Sequence, residues 1–360
     1  MADALASRDH AGDAAHSAAA SQQISQICDR SDVLLTPSGT HALELAATVL
    51  GLGPGDEVVI PSFAFSSTAN AFAVHGATPV FVDIRPDTWN LDERLLPAAI
   101  TPRTRAIVPM HYGGVACDMA AVLALAEKHG LAVIEDNAHG FGGAYRSQAL
   151  GTFGDMAALS FHETKNVACG EGGALVINDK RLVAAAEIAR DKGTNRAQFF
   201  RGETDKYTWQ SLGSSYLLGE LPAALLSAQL DSFMTIQSAR HHVWEQYHGQ
   251  LLDWADQNAV AFQLVPEGCG HAAHLFAMLM PTAKARTEFI AHMRSRGIGA
   301  AFHYQPLHLS PAGMTYGRSS GECGVSVDVS NRIVRLPIYP DLGEDDVERV
   351  VRAAVEFAVN

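Results

Sequence analysis

The sequence predicts an α/β fold: a large, mostly parallel mixed sheet with helices on both faces, followed by a smaller α+β domain. Three observations lead there. Short β-branched apolar runs alternate with amphipathic stretches from Val33 to about Gly193. Most of these runs are bounded by Pro, Gly or Asp, the punctuation of strands that feed loops and helices. After Gln229 the alternation ends and a long amphipathic stretch begins. With 360 residues, 48% hydrophobic and 18% charged, the chain has material for two domains.

In chain order, strands are expected in VLLTP (33–37), DEVVIPSFAF (56–65), TPVFVDI (78–84), RAIVPMHY (105–112), LAVIED (131–136), MAALSFH (156–162) and GALVIND (173–179). Helices are expected in HALELAATVLGLG (41–53), MAAVLALAEKHG (119–130) and RLVAAAEIARDKG (181–193). Residues 229–257 carry one helical pattern, which predicts a single long connector and a boundary near residue 235, giving domains 1–235 and 236–360. Beyond it come mixed segments at 274–281, 288–306 and 334–340, then a terminal helix over 345–359.

Charge narrows the partners. The chain carries 26 Lys and Arg against 39 Asp and Glu, a formal net charge of −13, so no broad basic surface is available for nucleic acid or anionic lipid. The first residues lack a continuous apolar centre, no apolar run approaches the roughly 20 residues of a membrane span, and five widely spaced cysteines suit a reducing compartment; a cytoplasmic protein is expected. No CxxC or HExxH spacing suggests a metal. The GLGPG at 51–55 ends a helix where a dinucleotide fingerprint would open one, and no phosphate-loop motif occurs. Gly317, Ser319 and Gly321 spell GxSxG without the preceding apolar strand a nucleophile elbow needs, and are expected to form a loop.

In an open α/β sheet, ligands gather beyond the carboxyl ends of strands. The polar residues there are Glu135, Asp136 and His139 after LAVI; Ser160, His162 and Lys165 at and after MAALSF; Ser38, Gly39 and Thr40 after VLLTP; and Phe65, Ser66 and Ser67 after EVVIP. Singly, each has an ordinary explanation as a helix cap, a turn former or a solvated charge. Together they meet the needs of pyridoxal 5′-phosphate. A lysine in a partly apolar pocket can attack an aldehyde, a carboxylate can face a protonated pyridine nitrogen, an aromatic ring can cover the pyridine, and a helix N-terminus with hydroxyls can hold a phosphate without net positive charge.

At these residues the chain resembles the fold-type I, DegT-like sugar-nucleotide aminotransferases. The resemblance runs from about Gly12 to the C-terminal helix and is carried by SFHETKN (160–166), EGGALVINDK (171–180), DKGTNRAQFFRGETDKYTW (191–209), GSSYL (213–217) and VDIRPDTWN (82–90). It implies that Lys165 forms the Schiff base with the cofactor and moves the proton in catalysis, and that Asp136 faces the pyridine nitrogen. Phe65 then stacks on the ring, while Gly39, Thr40 and Ser160 bind the phosphate. Ser215 and Tyr216 lie where relatives reach the neighbouring subunit's cofactor, so a homodimer with shared sites is implied.

Two positions depart from many relatives: His139 stands where they carry Gln beside the cofactor's phenolic oxygen, and Ser215 where they carry Asn. The segment before Leu34 is also shorter. The implied reaction moves nitrogen from L-glutamate to a keto sugar on a nucleoside diphosphate. The shared phrases are most similar to those of enzymes that convert dTDP-4-keto-6-deoxyglucose to the 4-amino-4,6-dideoxygalactose nucleotide. A local excess of five basic over three acidic residues between Arg190 and Lys206, Arg201 among them, suits a pyrophosphate. His303, Tyr304 and His308 fall where relatives cover the sugar. Three alternatives remain: a dehydratase of this fold, which would carry His in place of Lys165; an aminotransferase for a 3-keto sugar or a cyclitol; and a non-enzymatic, cofactor-binding regulator.

Overall fold

The computed structural model describes residues 2–29 and 32–358. The last two residues, where the expected terminal helix and second domain end, lie outside the described residues.

The main sheet has eight strands. Seven of them are β1 (Asp32–Thr36), β2 (Glu57–Pro61), β3 (Thr78–Val82), β4 (Thr104–Ile107), β5 (Ala132–Asp136), β6 (Met156–Ser160) and β7 (Gly173–Ile177), in the expected segments except that β1 and β4 each begin one residue earlier. Beyond the expected connector, β8 (Ala261–Phe262) and β9 (Phe276–Leu279) belong to a separate sheet, whereas β10 (Arg318–Ser319) returns to the main one, in the order β1-β7-β6-β5-β4-β2-β3-β10. Pairing is parallel from β6 through β10, and antiparallel only where β7 pairs with β6 and β1. The strands are apolar because both faces are covered: β2 and β7 are buried at every position. Helix α1 (Ala15–Cys28) and helix α2 (Gly39–Val49) flank β1, and α3 (Ser66–Ala73) and α4 (Met119–His129) follow β2 and β4.

Two expectations need correction. The pattern over 229–257 is not one helix: α5 (Glu220–Asp231) stops at Ser232, whose φ of −98° and ψ of 10° serve as C-cap of α5 and N-cap of α6 (Phe233–Gln257). The break turns Phe233 inward against Phe141, with ring centroids 5.2 Å apart. Helical periodicity survives such a turn, so the sequence pattern could not reveal it. The expected loop at Gly317–Ser319 contains strand β10, which pairs in parallel with Val80 and Phe81 of β3. Gly317 permits this approach, since a Cβ there would lie 2.4 Å from the Phe81 ring.

The C-terminal part packs β11 (Ile333–Leu336) against β9, and β9 against β8, all antiparallel. α7 (Ala283–Ser295) and α8 (Glu344–Val355) cover this small sheet, and Tyr247, Phe276, Phe289 and Val347 form its core. The expected boundary at residue 235 falls in the first turn of α6. No helix among the described residues is long and apolar enough to cross a membrane.

Beneath the carboxyl end of β5, Glu135 is fully buried and saturated. It accepts from the N–H groups of Gly151 (2.9 Å), Phe153 (2.7 Å) and Gly154 (3.0 Å) and pairs with His111 Nε2 at 3.0 Å. This ties the strand end to the loop before β6 and fixes where the next residue, Asp136, points.

Candidate active site

A cavity of about 460 Å³ opens above the carboxyl ends of β5 and β6, between the main sheet and the segment that enters the small sheet. At one end α2 begins. Ser38 caps it by accepting from the His41 N–H, and the Thr40 and Ser67 hydroxyls lie 2.7 Å apart beside Ser160. Gly39 keeps this corner open, because a Cβ there would stand 2.8 Å from the Ser160 Cβ. The free first-turn N–H groups, the positive end of the helix dipole and three hydroxyls form a cradle for a phosphate.

Asp136 is 4% exposed at the end of β5. Its Oδ2 accepts from the Thr68 hydroxyl at 2.6 Å and its Oδ1 from the Ala138 N–H at 3.2 Å. Lys165 lines the same cavity, in the turn after β6. Burial lowers its pKa to about 8, with the nearby Asp136 carboxylate opposing the shift. A lysine so placed has a substantial neutral fraction near pH 8 and can act as a nucleophile or proton carrier.

Across from it sits His139, 4% exposed. Its Nδ1 accepts from the Gly113 N–H at 3.4 Å, which leaves the proton on Nε2, 3.3 Å from the Tyr304 hydroxyl. His274 lies against it with ring centroids 4.2 Å apart. Burial, reinforced by the Lys165 charge, holds the His139 pKa well below its ordinary value. The ring therefore presents a neutral N–H donor, as a glutamine amide would.

A model of the DegT/DnrJ/EryC1/StrS aminotransferase family matches residues 13–355. The chain belongs to this family. The Bacillus subtilis (strain 168) spore coat polysaccharide biosynthesis protein SpsC is 36% identical over 332 residues, covering 88% of this chain and 82% of that one. A Geobacillus stearothermophilus protein named as a pleiotropic regulatory protein is 35% identical over 325 residues, covering 89% and 83%. The X-ray structure of S. venezuelae DesV in complex with a ketimine intermediate aligns with a TM-score of 0.90 and 31% identity, covering 99% of this chain and 93% of that one.

Aminotransferases of the DegT/DnrJ/EryC1/StrS family use pyridoxal 5′-phosphate, and the residues present fit it. The cavity offers an anion cradle that a Cβ at Gly39 would fill, a buried carboxylate, and a lysine of lowered pKa. Of the residues expected from the sequence, Gly39, Thr40, Phe65, Asp136, His139, Ser160, Lys165 and Tyr304 share this cavity. Phe65 is 54% exposed and stands 5.9 Å from the Tyr304 ring, centroid to centroid.

Four expected residues, Arg201, Ser215, Tyr216 and His308, are not brought to the cavity by this one chain; Tyr216 is buried with its ring 5.6 Å from that of His41, centroid to centroid. Arg201 is exposed and paired with Glu187 and Glu203. Ser215 is exposed and bridges to Asp191 through the backbone. The His308 Nδ1 lies 2.5 Å from the Ser62 hydroxyl.

Three residues at the site stand outside the expected set: Thr68, just beyond Ser66 and Ser67, and His274 with Asn166. His274 Nδ1 lies 2.9 Å from Asn166 Oδ1, and Asn166 Nδ2 donates to Gln237 Oε1 and the Ala272 carbonyl, each at 2.7 Å. Asn166 adjoins Lys165 in the chain, which was a usable signal. His274 joins from more than a hundred residues away, and nothing local marked it.

Proposed function

We propose that this protein is a transaminase moving the amino group of L-glutamate to a keto sugar on a nucleoside diphosphate. The best-supported acceptor is dTDP-4-keto-6-deoxyglucose, giving the 4-amino-4,6-dideoxygalactose nucleotide. It acts as a cytoplasmic homodimer with shared sites, in a chain divided into two domains near residue 235. The observation that carries the reading is Lys165 beside Asp136 in one cavity whose far end is a phosphate cradle. The similarity to a polysaccharide biosynthesis protein supports a sugar acceptor.

When bound, pyridoxal phosphate supplies an electrophilic carbon and a protonated ring that accepts the electron pair of a broken C–H bond. The chain's own residues do the rest. The N-terminus of α2, Thr40 and Ser160 hold the phosphate. Asp136, oriented by Thr68, would keep a proton on the ring nitrogen, Phe65 would cover the ring face, and His139 would offer its Nε2 proton to the phenolic oxygen. Lys165 Nζ takes the proton from the donor's α-carbon and returns one to the acceptor carbon.

Incubation with cofactor, glutamate and a panel of keto-sugar nucleotides, read by mass spectrometry, tests this. Amination of the 4-keto-6-deoxyglucose nucleotide is expected; amination only of a 3-keto sugar or a cyclitol ketone would replace the acceptor. A second reading, a cofactor-binding regulator, is favoured by the name of the 35% identical relative; it predicts cofactor binding with no turnover on any acceptor.

A further inference from the structure

We infer that His274 positions the Lys165 amine by accepting one of its N–H bonds at a bare Nε2, an inference that rests on the transaminase reading above and deepens its proton transfer. His274 lines the cavity from a turn just before β9, and that turn is firmly held. Ala273 sits at φ 47°, in the left-handed region that residues with a Cβ seldom adopt. Arg240 of α6, 4% exposed, donates to the Ala273 carbonyl at 3.1 Å and to the His274 carbonyl at 2.7 Å, which fixes this strained backbone.

Two amides settle where the His274 proton lies. Gln237 Nε2 donates to the Ala272 carbonyl at 3.1 Å, so its Oε1 is the acceptor for Asn166 Nδ2. Asn166 Nδ2 donates to the Ala272 carbonyl as well, which uses both of its protons and leaves Oδ1 to accept from His274 Nδ1 at 2.9 Å. Burial, reinforced by the Lys165 charge, keeps the His274 ring neutral, so its Nε2 carries a lone pair and no proton. That nitrogen makes no hydrogen bond with a described residue, and an acceptor withdrawn from water without a donor is costly.

Lys165 is the donor that fits. It lines the main cavity with His274, and the two also share a small void of about 10 Å³ with His139, Ser160 and Asn166. Such a void holds about one water-sized group, which an amine is. His139 does not serve instead, because its ring lies over that of His274 with centroids 4.2 Å apart and its Nε2 lies 3.3 Å from the Tyr304 hydroxyl. Asn166 follows Lys165 in the chain, so the side chain that sets the His274 tautomer also ties that ring to the turn carrying the lysine. A free amine rotates about its Cε–Nζ bond, and engaging one N–H aims the lone pair at the substrate carbon. His274 resists protonation, so it takes a hydrogen bond and leaves the proton on Nζ for delivery, whereas a carboxylate there would hold the amine as ammonium. The other charged and titratable groups around the amine are Asp136 and His139 after β5, His162 and Glu171 beside its own turn, and His303, Tyr304 and Arg335 from the C-terminal part. The variants below leave all of them in place.

Capture of pyridoxal phosphate by the cofactor-free protein tests this without turnover. An acceptor stabilises the protonated amine more than the neutral one. In H274F, which keeps a ring over His139 but has no lone pair, the pH midpoint of the capture rate should therefore fall from about 8 by about one unit. In H274Q, whose side-chain oxygen can accept, the midpoint should stay at the wild-type value. Nitrogen NMR of cofactor-free wild type with labelled histidine, assigned by the signal lost in H274Q, should show a protonated Nδ1 and an unprotonated Nε2. In the holoenzyme under single turnover, H274F should slow the glutamate half about tenfold and enlarge the isotope effect of α-deuterated glutamate, with the half-saturating concentration within about twofold of wild type. H274Q should recover most of that rate. If H274F does not fold, H274L, which also lacks the lone pair, takes its place, and the wild-type spectrum decides if neither folds. A protonated Nε2, an unmoved midpoint in H274F, or equal losses in H274F and H274Q would overturn the inference. A wild-type enzyme that captures the cofactor but does not react with glutamate would sink the transaminase reading instead, and the capture midpoints would still decide the role of His274.

Discussion

At Lys165 two opposing influences set the chemistry: burial removes the charge and Asp136 restores part of it, leaving a pKa of about 8. Covalent capture of pyridoxal phosphate by the cofactor-free protein needs the free amine. Its rate should therefore rise with pH to a plateau with a midpoint near 8, well below the 10.5 of an unperturbed lysine. Stopped-flow absorbance across the pH range measures this, and a midpoint near 10.5 would contradict the buried environment. The linked stability has a definite sign. Between about 8 and 10.5 the unfolded chain keeps the proton that the folded chain has lost, so the cofactor-free protein gains stability as pH rises through that window. Asp136 invites a second test. In Thr68→Val its Oδ2 loses a donor, and turnover should fall by about tenfold, the worth of one hydrogen bond to a charged group; cofactor absorbance against pH would separate a changed ring proton from a changed fold. Lys165 and Asp136 stand out in the sequence because each lies within four residues of the end of an apolar run. The neutral state of His139 was not legible there, since it depends on burial and the Lys165 charge, and its tautomer on the Gly113 N–H, all of which only the folded chain brings together.

Single elements carry the site through their ends. The cradle exists because α2 starts against β6 with no Cβ at residue 39, so Gly39→Ala must displace either Ser160 or the helix. Overpacking of that kind costs about 1–3 kcal/mol, and cofactor titration should show affinity weaker by about tenfold or more. α1 depends on another element for its start. Ala14 provides no side-chain cap, and Glu220 of α5 accepts from the N–H groups of Ala14 (3.1 Å), His16 (2.8 Å) and Ser17 (3.1 Å), with the Ser17 hydroxyl as well. Glu220→Ala leaves those groups without a partner at a cost of about 1–3 kcal/mol, and limited proteolysis should then cut within residues 15–28 while the main sheet stays intact. The seven strands through residue 179, and the helices Gly39–Val49 and Met119–His129, were legible from apolar runs and their punctuation, whereas the helices Ala15–Cys28 and Ser66–Ala73 were not expected. The cap of α1 was not legible, because its acceptor lies some two hundred residues further on. The break at Ser232 and the strand at Arg318–Ser319 were hidden for related reasons: one preserves periodicity, and the other is too short to show any.

Across the whole molecule, the anionic surface and the site solve different problems. A chain of net charge −13 repels polyanions at long range, so the phosphate must be held by local groups: a helix end and hydroxyls. The basic residues around 190–206 do not form a free anion site in one chain, because Arg190, Lys192, Arg196 and Arg201 are each paired with an acid. The same region exposes Phe200 (68%), Trp209 (75%) and Leu212 (77%), a costly display of large apolar side chains close to Ser215. The proposed homodimer accounts for both features if this segment is covered by a second copy. Trp209→Asp combined with Leu212→Asp should then convert a dimer into a monomer, as light scattering reports, while circular dichroism stays unchanged because neither side chain supports the core. Turnover should fall by at least about tenfold in the monomer, since each site would lack what the neighbouring subunit brings. A variant that remains dimeric, or a monomer with full activity, would show that one chain completes its own site and that Ser215 has no part in it.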